Sequence, residues 1–389
     1  MNRTADFVVI GGGIFGASTA HFLSKTGFGR GVLLESRTLA AVSTGHSAAH
    51  IRTYYSNPVT VQLAGRAVEM FENDVEQLGG DCEFRQIGFL VLLDAEAEQP
   101  ADQVSTLQRQ YGIDVRMVSR DEIHDLAPPL DLGGVTRGIY EPKSGYVDPV
   151  KTTRNLVDAA KPWGLEVLEG TAARGIRTEG DRIVGVDTDD GPIDTPVVIN
   201  AAGPWGRQIG SWIGRNDSVR WSRETDLKVR LPSNFPPIPV ISDTTPFRIY
   251  FRTDGENLLA GLGAPKEIEP LDIDNYDSEL DASSRTRIEK GLFARVPMLR
   301  QAPLVDGWAS IYTIPDDWHP LVGPEPGLDG YYTCYGGSGH CFKLAPPIGE
   351  ALAAMISGQA PKIDITPLRP TRFVEGAPLT SAWGGGNRA

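Results

Sequence analysis

The chain has 389 residues, enough for two hydrophobic cores, and its 40% hydrophobic and 22% charged residues are the composition of a globular protein. A formal net charge of -13 excludes nucleic acid and anionic membrane surfaces as partners, because both would repel it. Cys82, Cys334 and Cys341 have neither metal-ligand spacing nor the number for a disulfide framework, and with no leader-like segment or membrane-length apolar run the expected location is the cytoplasm.

In chain order, a strand-length apolar run at residues 6–10 enters Gly11-x-Gly13-x-x-Gly16; an amphipathic segment beginning Ile14-Phe15 follows, and a second apolar run ends at Glu35 and Ser36. This is a βαβ dinucleotide fingerprint. Gly11 takes the turn out of the strand, Gly13 has no Cβ to hold a pyrophosphate away, and Gly16 lets the helix approach the sheet. The helix N-terminus presents unpaired N–H groups to the pyrophosphate, and Glu35 is placed to accept from ribose hydroxyls. An ordinary βα turn would leave Glu35 unexplained.

Residues 43–55 combine small side chains with two His, an Arg and two Tyr, which suits close approach to something flat or bulky. Asn57 and Pro58 read as N-cap and first residue of a helix with Val59, Leu63, Ala67, Phe71 and Val75 on one face and Gly79 beyond its end. From 81 to 145 the pattern changes to a strand at 87–93, a polar helix near 98–111, a short strand near 113–118 and a capping box at Ser119 and Glu122. Asp148-Pro149 opens a helix that ends before Gly164. A strand at 165–168 and a hairpin at 176–186 lead to the buried run that ends in Asn200-Ala201-Ala202-Gly203-Pro204-Trp205. The strand-rich stretch 220–307 includes a hairpin turned by Asp254-Gly255, where Arg248 shares a face with Tyr250 and is a candidate anion anchor. The last part carries Tyr312, a strand at 331–335, a second glycine-rich loop through Gly337, Ser338, Gly339, His340 and Lys343, and a helix near 345–357. That loop offers another set of backbone donors to an anion. Residues 371–389, with Gly384-Gly385-Gly386, read as a mobile tail.

Four ordered motifs, the fingerprint, residues 43–50, residues 200–205 and residues 338–344, make the chain resemble the D-amino-acid oxidase superfamily of flavoproteins over about residues 5–360. The branch is that of glycine oxidase, sarcosine oxidases, dimethylglycine oxidase and D-arginine dehydrogenase. The resemblance implies FAD and an α/β fold: a Rossmann-like FAD-binding domain of glutathione-reductase type with an interleaved antiparallel β-sheet substrate domain. The expected segments are 1–80, 146–219 and 308–370 for FAD, and 81–145 and 220–307 for substrate. It places FAD contacts at Gly11, Gly13, Ile14, Phe15, Gly16, Glu35, Ser36, Ser43, Thr44, His46, Ser47, Ala48, Ala172, Ala202, Gly203, Trp205, Gly337, Ser338, Gly339, His340 and Lys343.

By the same resemblance, Arg52 and Lys343 look like the pair that holds a substrate carboxylate; an Arg fork and a Lys point charge suit that anion. The alternatives are a structural acid beside Arg52 and a solvated Lys343. His50, Tyr55 and Tyr250 match substrate-contacting positions, Tyr312 matches an active-site tyrosine, and each can equally be a core residue with a satisfied hydroxyl. His46 stands where dimethylglycine oxidase carries a flavin-linked histidine and D-arginine dehydrogenase an Arg; noncovalent FAD is expected, with His46 the only candidate tether. A cysteine tether is absent, since its column holds Ser310. The lysine that promotes oxygen reduction in monomeric sarcosine oxidases is replaced by Leu259, which puts fast oxygen reduction in doubt and leaves the electron acceptor open between oxygen and another. The implied reaction is oxidation of a C–N bond in an amino acid or N-methylated amine by hydride transfer to flavin N5, giving an imine that hydrolyses. Alternatives are an amine lacking a carboxylate, or a flavin-binding subunit active only in a hetero-oligomer. His124, His319 and His340 have no metal spacing, and no metal is expected.

Overall fold

The computed structural model of the protein describes residues 3–263, 268 and 270–380. Its first layer grows from the strand Phe7–Ile10, four apolar residues buried on both faces. Such a strand needs cover above and below, which parallel sheets with crossover helices provide. Six strands align in the order Leu321–Pro324, Tyr331–Tyr335, Val198–Asn200, Phe7–Ile10, Gly31–Glu35 and Leu165–Glu169, all parallel except the first, which runs antiparallel to its neighbour. The helix Ile14–Lys25 is buried along almost all its length and packs on Pro149–Ala160 and Ala345–Ile356. Gly16 makes that seating possible, because a Cβ there would lie 1.9 Å from the Gly11 carbonyl oxygen. The opposite face is covered by the hairpin Ala173–Glu179 and Arg182–Thr188, which joins Ile193–Asp194 and Arg3–Thr4 in a small four-stranded sheet.

The second layer is an eight-stranded sheet ordered Leu304–Pro315, Val219–Arg230, Asn257–Leu262, Ile249–Asp254, Val240–Asp243, Phe89–Leu93, Arg137–Glu141 and Arg116–Val118. Side chains alternate across it. Leu227, Phe251, Leu258 and Ala260 join Ile288 and Leu292 of the helix Ala282–Arg295 in one apolar cluster. Ser222, Glu224, Asp226 and Lys228 take the other side, toward the parallel sheet. The polar side of this sheet roofs the first layer.

Three sequence expectations need correction. The helix begun by Asn57, whose side chain accepts from the Val59 N–H, stops at Glu72; Asn73 leaves helical geometry, a new short turn Asp74–Gln77 begins, and Val75 is 67% exposed instead of continuing the apolar face. The expected boundary between 307 and 308 falls inside the twelve-residue strand Leu304–Pro315, which belongs wholly to the roof. Within the supposed tail, Arg372 is fully buried and forks onto Asp317 at 2.7 Å, and the Leu379 N–H reaches the same carboxylate at 3.0 Å. The glycines at 384–386 lie outside the described residues. Among those residues, no helix is long and apolar enough to cross a membrane.

Candidate active site

A cavity of about 660 Å³ opens at the C-terminal ends of the parallel strands, where the topology of an open α/β sheet leaves its crevice. Gly11, Gly13, Ile14 and Phe15 form its floor. The Ile14 N–H, first of the unpaired donors of its helix, reaches Thr44 Oγ1 at 3.0 Å, so a hydroxyl rests where an anion would sit. Glu35 is held by backbone, its Oε2 accepting from the Gly12 N–H at 2.8 Å and its Oε1 from the Arg37 N–H at 2.7 Å. That grip fixes the carboxylate at the cavity wall beside Ser36. Ala172, Ala202 and Gly203 line the same end with Trp205, whose Nε1 donates to Asp274 Oδ1 at 2.6 Å.

The far end is closed by Ser43, His46, Ser47, Tyr312 and the loop Gly337, Ser338, Gly339. Gly336, Ser338 and Gly339 all have positive φ, the left-handed turns by which this loop doubles back under the cavity. A Cβ at Gly339 would meet the Tyr312 ring at 1.9 Å. Among the described residues the hydroxyls of Ser310 and Ser338 are buried without a partner, though both residues line the cavity. A buried hydroxyl normally has one. His46 Nδ1 lies 2.8 Å from the Val42 carbonyl and donates to it.

Beyond Tyr312 lies a second, smaller cavity of about 70 Å³, and Ser47, Tyr312, Gly339 and Phe342 line both. Here the structure gathers His50, Arg52, Tyr250, Tyr312 and Lys343, with Ala48. Arg52, 8% exposed, donates to the Tyr54 carbonyl at 2.5 Å and stacks 4.3 Å above the Tyr55 ring. Lys343, 4% exposed, donates to the His340 carbonyl at 2.8 Å and to the Tyr55 hydroxyl at 3.1 Å. Burial, and then the repulsion of Arg52, holds the Lys343 ammonium well below its usual range. Burial, then Arg252, Lys343 and Arg52, does the same to His50, whose Nε2 has no partner among the described residues. Tyr250 donates to Asp226 Oδ1 at 2.5 Å and is hydrogen-bonded to Tyr312; burial first, then the carboxylates Asp226 and Glu224, pushes both phenols up.

The stretch that carries these groups is fastened to the roof. Ser43 Oγ donates to the Ile311 carbonyl at 2.6 Å, Trp308 Nε1 to the His46 carbonyl at 3.2 Å, and Arg252 Nε to the Ala48 carbonyl at 3.0 Å. The Thr53 N–H reaches Glu141 Oε2 at 2.8 Å, in a buried carboxylate that also accepts from Gln108 and Ser144.

Some expected residues stand elsewhere. Gly16 is a packing glycine and does not line the cavity. His340 lies behind it, its Nε2 at 2.8 Å from the Trp318 carbonyl, and contributes its own carbonyl to Lys343. Lys343 and Ala48 face the small cavity and not the large one. Arg248 is exposed and sits at φ 47 before its strand begins at Ile249, so the alternation that would aim it with Tyr250 does not extend to it. Leu259 lines neither cavity. Sequence reasoning missed Arg37, Thr171, Arg174, Glu224, Asp226 and Cys341. For Glu224 and Asp226 a signal existed: Ser222, Glu224, Asp226 and Lys228 give one side of a strand an unbroken polar row.

A glycine turn on a buried helix N-terminus, a carboxylate fixed at the end of the next strand and an elongated crevice define a dinucleotide-cofactor enzyme. Residues 6–355 match the FAD dependent oxidoreductase family, and the chain belongs to it. It is 27% identical to mitochondrial sarcosine dehydrogenase of Mus musculus over 381 residues, covering 95% of this chain and 41% of that protein. It is 26% identical to mitochondrial dimethylglycine dehydrogenase of Rattus norvegicus over 390 residues, covering 95% and 45%. The chain thus spans less than half the length of these relatives. The solved L-proline dehydrogenase of P. horikoshii superposes with a TM-score of 0.90 at 27% identity, covering 97% of this chain and 99% of that one. The cofactor is therefore FAD, and the cavity fits it: a helix N-terminus, a fixed acid and two unpartnered hydroxyls line one continuous crevice.

Proposed function

We propose that the protein oxidises a C–N bond in a small amino acid or N-methylated amino acid, giving an imine that hydrolyses in water. The observation that carries this reading is the burial of Arg52 and Lys343 in one small cavity separated from the cofactor crevice by Tyr312. Two adjacent buried cations repel each other, and a carboxylate between them relieves that repulsion. Lys343, whose bonds to Tyr55 and His340 go to neutral oxygens, keeps its charge best when such an anion is present. The Arg52 fork orients the anion, and the aromatic walls Phe89, Tyr250 and Tyr312 exclude water from the carbon that reacts.

FAD supplies, when bound, the two-electron acceptor for the departing hydride. In this reading the parallel-sheet layer holds FAD, and the roof, with residues 43–55 and Lys343, shapes the substrate site. The kinship to sarcosine, dimethylglycine and L-proline dehydrogenases supports a secondary or tertiary amino acid, and a cavity of about 70 Å³ supports a small one. On the roof face, Lys228 and Arg252 are both paired to Asp254, at 2.7 and 2.9 Å, while carboxylates line the crevice. That favours an acceptor other than oxygen, because among the described residues these two roof cations are already neutralised by a carboxylate and are not available to stabilise a superoxide anion. The test is the visible spectrum of the holoenzyme without air during addition of sarcosine, dimethylglycine, L-proline, D-amino acids and simple amines. Bleaching by the carboxylated amines is expected; bleaching only by amines without a carboxylate would overturn the anchor, and admitting air then measures oxygen as acceptor.

A further inference from the structure

Asp226 is a carboxylate that the substrate cavity reaches through an ordered hydroxyl. It lies in the wall of the large crevice, and Tyr250, in the wall of the small one, donates to it at 2.5 Å. The two residues are not on neighbouring strands. Asp226 is opposite Gly261 on one side and Tyr250 is opposite Gly261 on the other, so the bond passes over the middle strand. Gly261 is what leaves room for it: a Cβ there would lie 2.1 Å from Asp226 Oδ1 and 2.4 Å from the Tyr250 hydroxyl. Three positions on three strands are therefore matched to one hydrogen bond, and Tyr312 extends it by its own bond to Tyr250.

We propose that Tyr312, Tyr250 and Asp226 form a relay that takes the proton from the substrate ammonium, with Asp226 as its terminal acceptor. The inference rests on the amine oxidation proposed above. An amino acid enters carrying an ammonium group, which cannot release hydride from the adjacent carbon until one N–H proton has left. That N–H bond breaks as an O–H bond forms on the phenol facing the substrate. The phenol proton passes along the chain, and the Asp226 carboxylate ends as a carboxylic acid. The N–H pair stays on nitrogen as a lone pair and becomes the π bond of the imine as the hydride leaves with the pair of its C–H bond, for which FAD is the oxidant. Neither phenol ionises, in keeping with burial and the two carboxylates that hold both of them protonated. Asp226 acts through the tyrosines and is a positioning residue.

The surrounding charges decide what a pH profile reads. On its own strand Asp226 has Glu224 and Lys228 as same-face neighbours, and Lys228 is committed to Asp254. From the adjoining strand Leu304–Pro315 comes Tyr312, and from the strand beyond Asn257–Leu262 come Tyr250 and Arg252; from the crossing stretch come His46, His50 and Arg52, the His50 ring 5.4 Å from that of Tyr250. Lys343 stands across the small cavity. Burial and the neighbouring cations hold His50 neutral, so it does not replace Asp226 as a charge.

The test is the limiting rate of anaerobic flavin reduction by sarcosine and by L-proline against pH, in the wild type, Asp226→Asn, Tyr250→Phe and Gly261→Ala. The expected result is an acid limb moved up by about one pH unit or more in all three, a deficit of about 10²-fold at low pH, and near recovery at alkaline pH, where the amine arrives neutral. Asp226→Glu restores the wild-type limb. Profiles of unchanged shape, merely scaled down, would overturn the relay. The second readout is proton release on binding 2-aminoisobutyrate, which has no Cα hydrogen to lose, by calorimetry in buffers of different ionisation enthalpy. Proton uptake by Lys343 is common to both proteins, so Asp226→Asn releases about one proton more than the wild type; equal counts overturn the relay. Should neither sarcosine nor L-proline bleach the flavin, the proposed reaction fails on its own and the proton count still decides the relay.

Discussion

Replacing Arg52 by Ala removes the only guanidinium that lines the small cavity among the described residues. One of its donors is used on the Tyr54 carbonyl and its face is used on Tyr55. Hydrogen bonds to a charged group contribute about 1.5–3 kcal/mol each. A carboxylated ligand that loses one of them binds about 10- to 150-fold more weakly. FAD affinity stays as it was, because Arg52 does not line the large crevice. The assay is the perturbation of the flavin spectrum by titration with acetate, sarcosine and a matching amine without a carboxylate, in wild type and variant. The amine is the control, and its affinity is expected to hold or rise with one cation gone. An unchanged dissociation constant for acetate and sarcosine in Arg52→Ala would refute the anchor.

Lys343 has its proton affinity lowered by burial and by Arg52, so anion binding restores the proton; carboxylate affinity falls about tenfold per pH unit above the lowered pKa, and Lys343→Met makes the titration curve flat with pH. The same depression makes the fold less stable as pH falls below the unfolded lysine's pKa, where only the unfolded chain gains the proton. Acid denaturation releases all FAD and leaves a chain of polypeptide mass; a yellow precipitate with FAD-shifted mass would show instead that His46 Nε2 is linked. Gly339→Ala meets the Tyr312 ring and adds a left-handed backbone cost of about 1–2 kcal/mol, so flavin content at purification falls while an unchanged FAD-to-protein ratio would contradict the packing. Arg372→Ala leaves the Asp317 carboxylate, 3% exposed, without its cation and lowers stability by about 3–5 kcal/mol in urea unfolding; an unmoved midpoint would mean that the segment is dispensable.

The FAD layer was legible because each of its signals is local: a buried strand, three spaced glycines and an acid within thirty residues set a βαβ unit regardless of the rest. Arg52, Lys343, Tyr250 and Tyr312 were legible only through family resemblance, since residues separated by up to 291 positions converge on one cavity and no spacing announces it. Asp226 escaped for a different reason. A carboxylate on a strand usually faces solvent, and only the register of three strands around Gly261 turns this one inward. Arg248 and Val75 failed where a periodic pattern was carried one step beyond the element that sustains it. Arg372 failed because a Gly-rich, polar C-terminal stretch gives no hint of the buried Asp317 that waits for it.

The four ties between residues 43–55 and the roof have a consequence for traffic. They join the two layers through the very stretch that carries His50 and Arg52, at Ile311, Trp308, Arg252 and Glu141. Swinging the roof away as a door would break all four together, a cost of about 2–6 kcal/mol at the net worth of such bonds. It would also dismantle the anchor before the visitor arrived. The ties thus oppose a hinged opening, and a molecule that enters this chamber with them intact passes individual side chains, as through a turnstile in a fixed wall.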